Sequence, residues 1–235
     1  MNAPAVRWVP SPNFDRRDRP PDMVVLHYTD IPDPAVALRW LTIPKSRVSA
    51  HYLIEADGTL TQMVREADRA WHAGLSHWDG TDNVNGRSLG IELDNAGHTP
   101  QPTPFPEPQI AALLALLSRL RARWCIPPRN VVAHSDIAPM RKRDPGEAFP
   151  WHRLAEAGHC LAVAPDALPA DDLFATLSRC GYGAADAHEA KVALVRAFHR
   201  RHRQNAPDAP ADDVTARLAA ALLRATAQDR LRSAH

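Results

Sequence analysis

The sequence predicts an α/β (α+β) protein with a mixed central β-sheet flanked by helices, followed by a small three-helix domain. Short apolar runs such as Met23–Tyr28 have the length of strands buried on both faces. Segments with helical periodicity lie between these runs. After about residue 158 the composition changes, and only helical patterns follow. We therefore predict two folded units of unequal size.

The N-terminal part begins with a segment that favours no regular element. Residues 1–22 are polar and rich in proline, which indicates an extended arm. The apolar run Met23–Tyr28 then predicts the first buried strand. A helix is expected over Pro34–Leu41, because proline is tolerated in the first turn of a helix.

The rest of the predicted sheet comes from one hairpin and two further runs. Asp57-Gly58 separates His51–Ile54 from Thr59–Val64, and Asp-Gly between two such segments favours a hairpin. Ser88–Leu93 and Val131–His134 predict two more strands. Between them, apolar residues recur at helical spacing from Gln109 to Trp124, ahead of a proline pair that ends the helix.

The C-terminal part contains no strand pattern. We predict one domain over 23–158, a linker over 159–170 and a helical domain over 171–235. The three helices of that domain are expected at Asp171–Cys180, Ala187–Arg203 and Ala211–Leu231.

Composition limits the partners and the compartment. The 235 residues carry a formal net charge of +1, which gives no global field for nucleic acid or an anionic membrane, and no transmembrane run of about 18 apolar residues occurs. Three cysteines without a CxxC spacing fit a reducing compartment. We expect a cytoplasmic protein. The alternative is a periplasmic or outer-membrane lipoprotein whose export signal lies outside this sequence. The sequence gives no signal for an oligomeric state.

Two histidines stand where predicted strands end. His27 follows an apolar run, His134 follows another, and Asp144 precedes the turn-forming pair Pro145-Gly146. Two imidazoles and a carboxylate leave one tetrahedral position open, as in a catalytic zinc site. A single histidine is more often an ordinary hydrogen-bonded residue of the surface or the core. Glu92 within a strand could face solvent, and Lys142 within Arg-Lys-Arg could be solvated surface.

Several motifs, in order, resemble those of the type-2 N-acetylmuramoyl-L-alanine amidases, a family with the fold of peptidoglycan recognition proteins and phage lysozyme-type amidases. They cover most of residues 23–152. The motifs are Val48–Ile54, Arg69–Gly74, Asn85–Leu93, His134–Pro139 and Lys142–Gly146.

This resemblance implies a role for each matching residue. His27, His134 and Asp144 would bind one Zn²⁺ per chain, whereas Glu92 and Lys142 would be catalytic. Substrate-binding candidates near the motifs are Arg69, Trp71, His72 and Asn85, and His51 could support the site from behind. The C-terminal helices resemble a peptidoglycan-binding domain. A generic helical appendage or a dimerisation unit is the alternative.

The expected function is zinc-dependent hydrolysis of the amide between N-acetylmuramic acid, or its 1,6-anhydro form, and L-alanine. Muropeptides would be the substrates and cell-wall recycling the process. One alternative is a non-catalytic peptidoglycan-sensing protein on the same fold. Another is a hydrolase for a different amide, although an HExxH motif is absent. Acidic residues scattered through the C-terminal helices argue against nucleic acid as a partner.

Overall fold

The computed structural model describes residues 6–98, 101–165 and 168–233. Its strands are β1 Val6–Trp8, β2 Phe14–Arg16, β3 Met23–Tyr28, β4 Tyr52–Ile54, β5 Leu60–Gln62, β6 Asp68–Ala70, β7 Ser88–Leu93 and β8 Val131–Ala133. Its α-helices are α1 Pro34–Thr42, α2 Val84–Arg87, α3 Glu107–Trp124, α4 His134–Ile137, α5 Trp151–Glu156, α6 Leu173–Cys180, α7 His188–His202 and α8 Asp213–Ser233. Short 3₁₀ turns cover Pro44–Ser46 and Pro128–Asn130.

Six strands form one mixed sheet in the order β1-β5-β4-β7-β3-β8. Only β4 and β5 pair antiparallel, as the Asp57-Gly58 hairpin predicts, while the other neighbours are parallel. Strands β2 and β6 form a separate antiparallel pair. The mixed sheet and its flanking helices confirm the predicted fold class.

Within the predicted N-terminal arm, described from Val6 onward, two short strands take part in both sheets. β1 pairs in parallel with β5 at one edge of the main sheet, and β2 pairs with β6. Sequence patterning did not predict these strands. Each is only three residues long, and β2, Phe14-Asp15-Arg16, is mostly polar.

Alternation along β3 assigns its side chains to two layers. Val24 and Leu26 face a core that includes the apolar stripe of α3. Met23 and Val25 face a second core, which is completed by side chains of α6, α7 and α8. His27 follows in the same alternation, so it belongs to the face that the C-terminal helices cover.

The C-terminal helices form where the sequence predicts them. Asp172 caps α6 by accepting hydrogen bonds from two backbone N–H groups, and Gly181 ends that helix with φ of +119°. These helices share a continuous core with the sheet, although the sequence pattern alone suggested a separate unit. The linker predicted at 159–170 includes residues 166–167, which lie outside the described part of the chain.

Two short helices follow β8, and the sequence pattern did not indicate either of them. Helix α4 begins at His134 itself, and α5 covers Trp151–Glu156. Among the described residues, no helix is long and apolar enough to span a bilayer.

Candidate active site

The three predicted ligands meet at one edge of the sheet. His27 lies near the end of β3, His134 directly follows β8, and Asp144 lies in the loop after α4. Parallel neighbours β3 and β8 bring their carboxyl ends together, which places the two histidines side by side. His27 Nδ1 lies 2.9 Å from His134 Nδ1 and 3.1 Å from Asp144 Oδ2, and His134 Nδ1 lies 2.9 Å from the same oxygen.

These three side chains are buried, and one donor atom from each converges within 4.8 Å of the others. Burial and the neighbouring His134 lower the pKa of His27 to about 4, which keeps its imidazole neutral at neutral pH. Burial alone would raise the pKa of Asp144, but the adjacent histidines hold it below its usual range. The group therefore offers two imidazoles and one carboxylate, a donor set suited to a metal ion.

A chain of hydrogen bonds fixes the ring of His27. Its Nε2 lies 3.0 Å from His72 Nδ1, and His72 Nε2 lies 3.2 Å from Ser88 Oγ. Ser88 donates its own hydroxyl to the carbonyl of Val84 at 2.6 Å, so it can accept from His72. This direction requires a proton on each Nε2 and leaves His27 Nδ1 with a free lone pair, as metal binding requires.

His134 is oriented in the same way by a backbone group. Its Nε2 lies 3.2 Å from the carbonyl oxygen of Ala73, which can only accept a hydrogen bond. Nδ1 is then the free lone pair. The backbone N–H of Ser135 donates to the carbonyl of Asp144 at 3.0 Å, and this bond holds the two ligand loops together.

The absence of a side chain at Gly90 makes room for His72. A Cβ at this position would lie 2.6 Å from His72 Cδ2 and 2.7 Å from its Nδ1, closer than real contacts allow. Gly90 has no positive φ, so the requirement is one of space and not of backbone conformation.

A second layer behind these residues contains His51 and Arg17. Gly90 donates its N–H to His51 Nδ1 at 2.9 Å, which leaves His51 Nε2 to donate to the carbonyl of Asp68. Arg17 donates to the carbonyls of Gly86, Ser88 and Asp68 at 2.8 to 2.9 Å. Arg17 was missed in the sequence because it belongs to a polar arm and its acceptors are backbone carbonyls.

Glu92 lies beside His27, its direct partner in the register of β7 and β3. The side chain lines the same pocket, and its Oε2 is hidden from solvent without a hydrogen-bond partner among the described residues. Burial and the charge of Asp144 raise the pKa of Glu92 well above its usual value. The sequence pattern left open that Glu92 faces solvent, and the structure shows that it does not do so freely.

A cavity of about 330 Å³ opens over these groups. Lys142 lies in its wall, and its positive charge lowers the pKa of Glu92 against the effect of burial. The lining also has an apolar part, which includes Trp40, half exposed at 49%, together with Leu41 and Val48. The pocket thus joins a charged floor to an apolar side.

The four predicted substrate-binding residues occupy different places. Trp71 and His72 line the cavity, although His72 is 8% exposed and is engaged with His27 and Ser88. Asn85 lies behind the cavity, where its Oδ1 accepts the backbone N–H groups of His72 and Ala73. Arg69 makes two hydrogen bonds of 2.5 and 2.6 Å to Asp15 and does not line the cavity.

The family model for N-acetylmuramoyl-L-alanine amidase (Amidase_2) matches residues 17–147, which include all three predicted ligands and both predicted catalytic residues. The chain belongs to this amidase family. The match confirms the expectation that the protein is an enzyme.

Individual relatives cover even more of this amidase. Escherichia coli AmiD is 36% identical over 88% of this chain and 84% of that protein. A structure of AmiD with the substrate anhydro-N-acetylmuramic acid-L-Ala-D-γ-Glu-L-Lys superposes with a TM-score of 0.81 over 90% of this chain and 91% of the other.

Two other relatives differ in the share of the chain that they match. Pseudomonas aeruginosa AmpDh3 in complex with anhydromuramic pentapeptide has a TM-score of 0.80 at 34% identity and covers 88% of this chain and 92% of its own. Haemophilus influenzae AmpD, a 1,6-anhydro-N-acetylmuramyl-L-alanine amidase, is 36% identical over 63% of this chain and 89% of its own length.

Proposed function

We propose that this amidase hydrolyses the bond between N-acetylmuramic acid, including its 1,6-anhydro form, and L-alanine in muropeptides, in a zinc-dependent reaction of cell-wall recycling. The observation that carries the proposal is the convergence of two imidazole Nδ1 atoms and Asp144 Oδ2 beside Glu92, whose Oε2 has no hydrogen-bond partner among the described residues. Complexes of AmiD and AmpDh3 with anhydromuropeptides support this substrate class.

The donor set fits zinc on its own chemistry. Zinc takes imidazole nitrogen and carboxylate oxygen, and three protein ligands leave a fourth position for water or substrate. His27, His134 and Asp144 would hold the ion. The Nε2 proton of His27 would point to His72, and that of His134 to the carbonyl of Ala73. A zinc ion bound there would polarise the scissile carbonyl and make water acidic enough to attack near neutral pH.

Glu92 is positioned to move the proton. Its raised pKa, and an Oε2 that no described residue engages by a hydrogen bond, allow the carboxylate to take a proton from the attacking water. The same carboxyl group then donates that proton to the departing nitrogen of alanine. The ammonium of Lys142 in the cavity wall stabilises negative charge that develops on the carbonyl oxygen.

The cavity walls suit the two parts of a muropeptide. Trp40, Val48 and Trp71 offer apolar surface against which a sugar ring or the lactyl and alanyl methyl groups can pack. Arg141 and Arg143 also line the cavity and provide positive charge for the carboxylates of the peptide. Glycan binding by the C-terminal helices and a cytoplasmic location stay predictions.

Mass spectrometry of purified anhydromuropeptides and of intact sacculi, each incubated with the enzyme, tests the proposal. We expect free peptide from the soluble fragments, and we expect a chelator to abolish its release. Glu92→Gln should retain zinc and lose about 10²–10⁴ in kcat. His134→Ala should lose both zinc and turnover. Absence of release from either substrate would favour the non-catalytic sensor, and full activity in Glu92→Gln would remove Glu92 from the mechanism.

A further inference from the structure

Asp136, two residues after His134, is completely buried and receives three hydrogen bonds. One comes from the backbone N–H of Ala133 at 2.9 Å, within the same turn. The other two come from the C-terminal part of the chain: Tyr182 donates its hydroxyl at 3.0 Å, and Arg201 donates Nη1 at 2.8 Å. A carboxylate in α4 is thus held by α7 and by the loop that follows α6.

Arg201 lies on α7 and is itself buried, with a side chain that is 5% exposed. Its second terminal nitrogen donates to the carbonyl of Val131 at 3.1 Å. The guanidinium also stacks over the ring of Trp151, 4.4 Å from its centroid. One planar group therefore spans from the first residue of β8 to the side chain of Asp136.

His134 lies between these two attachment points. A guanidinium is a rigid fork, so it fixes the distance between the two groups that it contacts. Tyr182 fixes the other oxygen of the same carboxylate. The segment from Val131 to Asp136 consequently cannot shift along β3 without breaking buried hydrogen bonds.

We propose that Arg201 and Tyr182 are positioning residues of the metal site, which act through Asp136 to hold His134 in its ligating orientation. This inference rests on the zinc site of the proposed function. It gives the C-terminal helical unit a role in metal binding by the catalytic unit, separate from any binding of glycan by those helices. In this amidase the C-terminal helical unit would support the metal site by holding the segment that carries His134.

A second ion pair between the same two parts of the chain provides a matched control. Arg129, just before β8, contacts Asp229 of α8 at 2.9 Å, with side chains that are 19% and 9% exposed. Among the described residues its side chain and N–H bond Asp229 and Ser233, and neither bonds Asp136. Arg129→Met therefore removes a comparable link without touching the proposed positioning contacts.

The test measures the zinc affinity of the full-length protein by competition with a chromophoric chelator, well below the unfolding temperature of each variant. Arg201→Met should weaken zinc binding about tenfold, the lower end for residues that orient metal ligands. Tyr182→Phe should weaken it less, and Arg129→Met should stay within about twofold of the unaltered protein. The visible spectrum of the cobalt-substituted protein should change in Arg201→Met and not in Arg129→Met.

Equal zinc affinity in Arg201→Met and Arg129→Met would overturn the inference. If Arg201→Met does not fold, because it leaves Asp136 buried without its cation, Arg201→Lys replaces it. Lysine keeps the charge near Asp136 but lacks the rigid planar fork that bonds Asp136 and Val131 together, so zinc binding should still weaken. Unchanged affinity would again overturn the inference. Failure of the unaltered protein to bind zinc would instead reject the proposed function.

Discussion

A methyl group at Gly90 should disable the metal site without altering any ligand or catalytic residue. The new Cβ of Gly90→Ala would overlap the imidazole of His72, which lies directly over this glycine. The backbone at Gly90 suits alanine, so the collision with the ring is the main cost. His72 has to rotate or shift, and its Nδ1 then no longer accepts the proton of His27 Nε2.

The structure gives two magnitudes for this change. Overpacking of a buried site costs about 1–3 kcal/mol of unfolding free energy. Loss of the group that orients a metal-bound histidine typically weakens metal binding about 10–100-fold, or roughly 1.4–2.7 kcal/mol. We therefore expect Gly90→Ala to remain folded at moderate temperature and to require much more zinc for activity.

Two assays test this prediction: chelator competition gives the zinc affinity, and turnover at varied zinc concentration gives the zinc needed for activity. The matched control combines Gly90→Ala with His72→Ala, in which the obstructing ring is absent. The double variant should bind zinc like His72→Ala alone, because the two changes act through the same contact. The reasoning would be refuted if Gly90→Ala bound zinc within twofold of the unaltered protein and His72 were still bonded to His27.

Two further predictions concern residues around the site. Burial, with help from Arg17, lowers the pKa of His51 to about 3, below the unfolded value of about 6.5. Between these two pH values the unfolded chain is protonated at His51 and the folded chain is not. The free energy of unfolding therefore decreases as the pH falls from about 6.5 toward 3, by up to about 1.4 kcal/mol per pH unit. Denaturant titrations of metal-free protein should show a shallower pH slope in His51→Asn, and equal slopes would contradict the assignment. Arg69→Ala should cost about 0.2–1 kcal/mol of stability through lost contact with Asp15 and leave KM unchanged; a severalfold rise in KM would restore Arg69 as a substrate contact.

The strands with continuous apolar runs could be predicted from sequence to the residue. Met23–Tyr28 and Ser88–Leu93 have the predicted bounds, because strands buried on both faces leave a strong signal. The β2–β6 pair could not be predicted, since three-residue polar strands resemble loops and depend on contacts far along the chain. For the same reason the sequence did not show that the C-terminal helices share a core with the sheet.

The convergence of the site was predicted in part. Histidines at strand ends, together with the family motifs, brought His27, His134 and Asp144 into one hypothesis, and the structure places them together. What sequence patterns could not supply is the direction of each hydrogen bond. The position of Asn85 behind the cavity, and the contact of Arg201 with Asp136, depend on three-dimensional packing between distant segments.

The shared core has a consequence for how the protein is made. Met23, Val25 and Val132 present an apolar face that α6, α7 and α8 cover. About 86 residues separate Val132 from Leu218, so at 5–20 residues per second this face waits roughly 4–17 s on the ribosome for its cover. During that interval the nascent chain exposes this apolar face to chaperones and to other nascent chains. If Arg201 acts as proposed, the metal site would reach its full affinity only after α7 has packed onto β8.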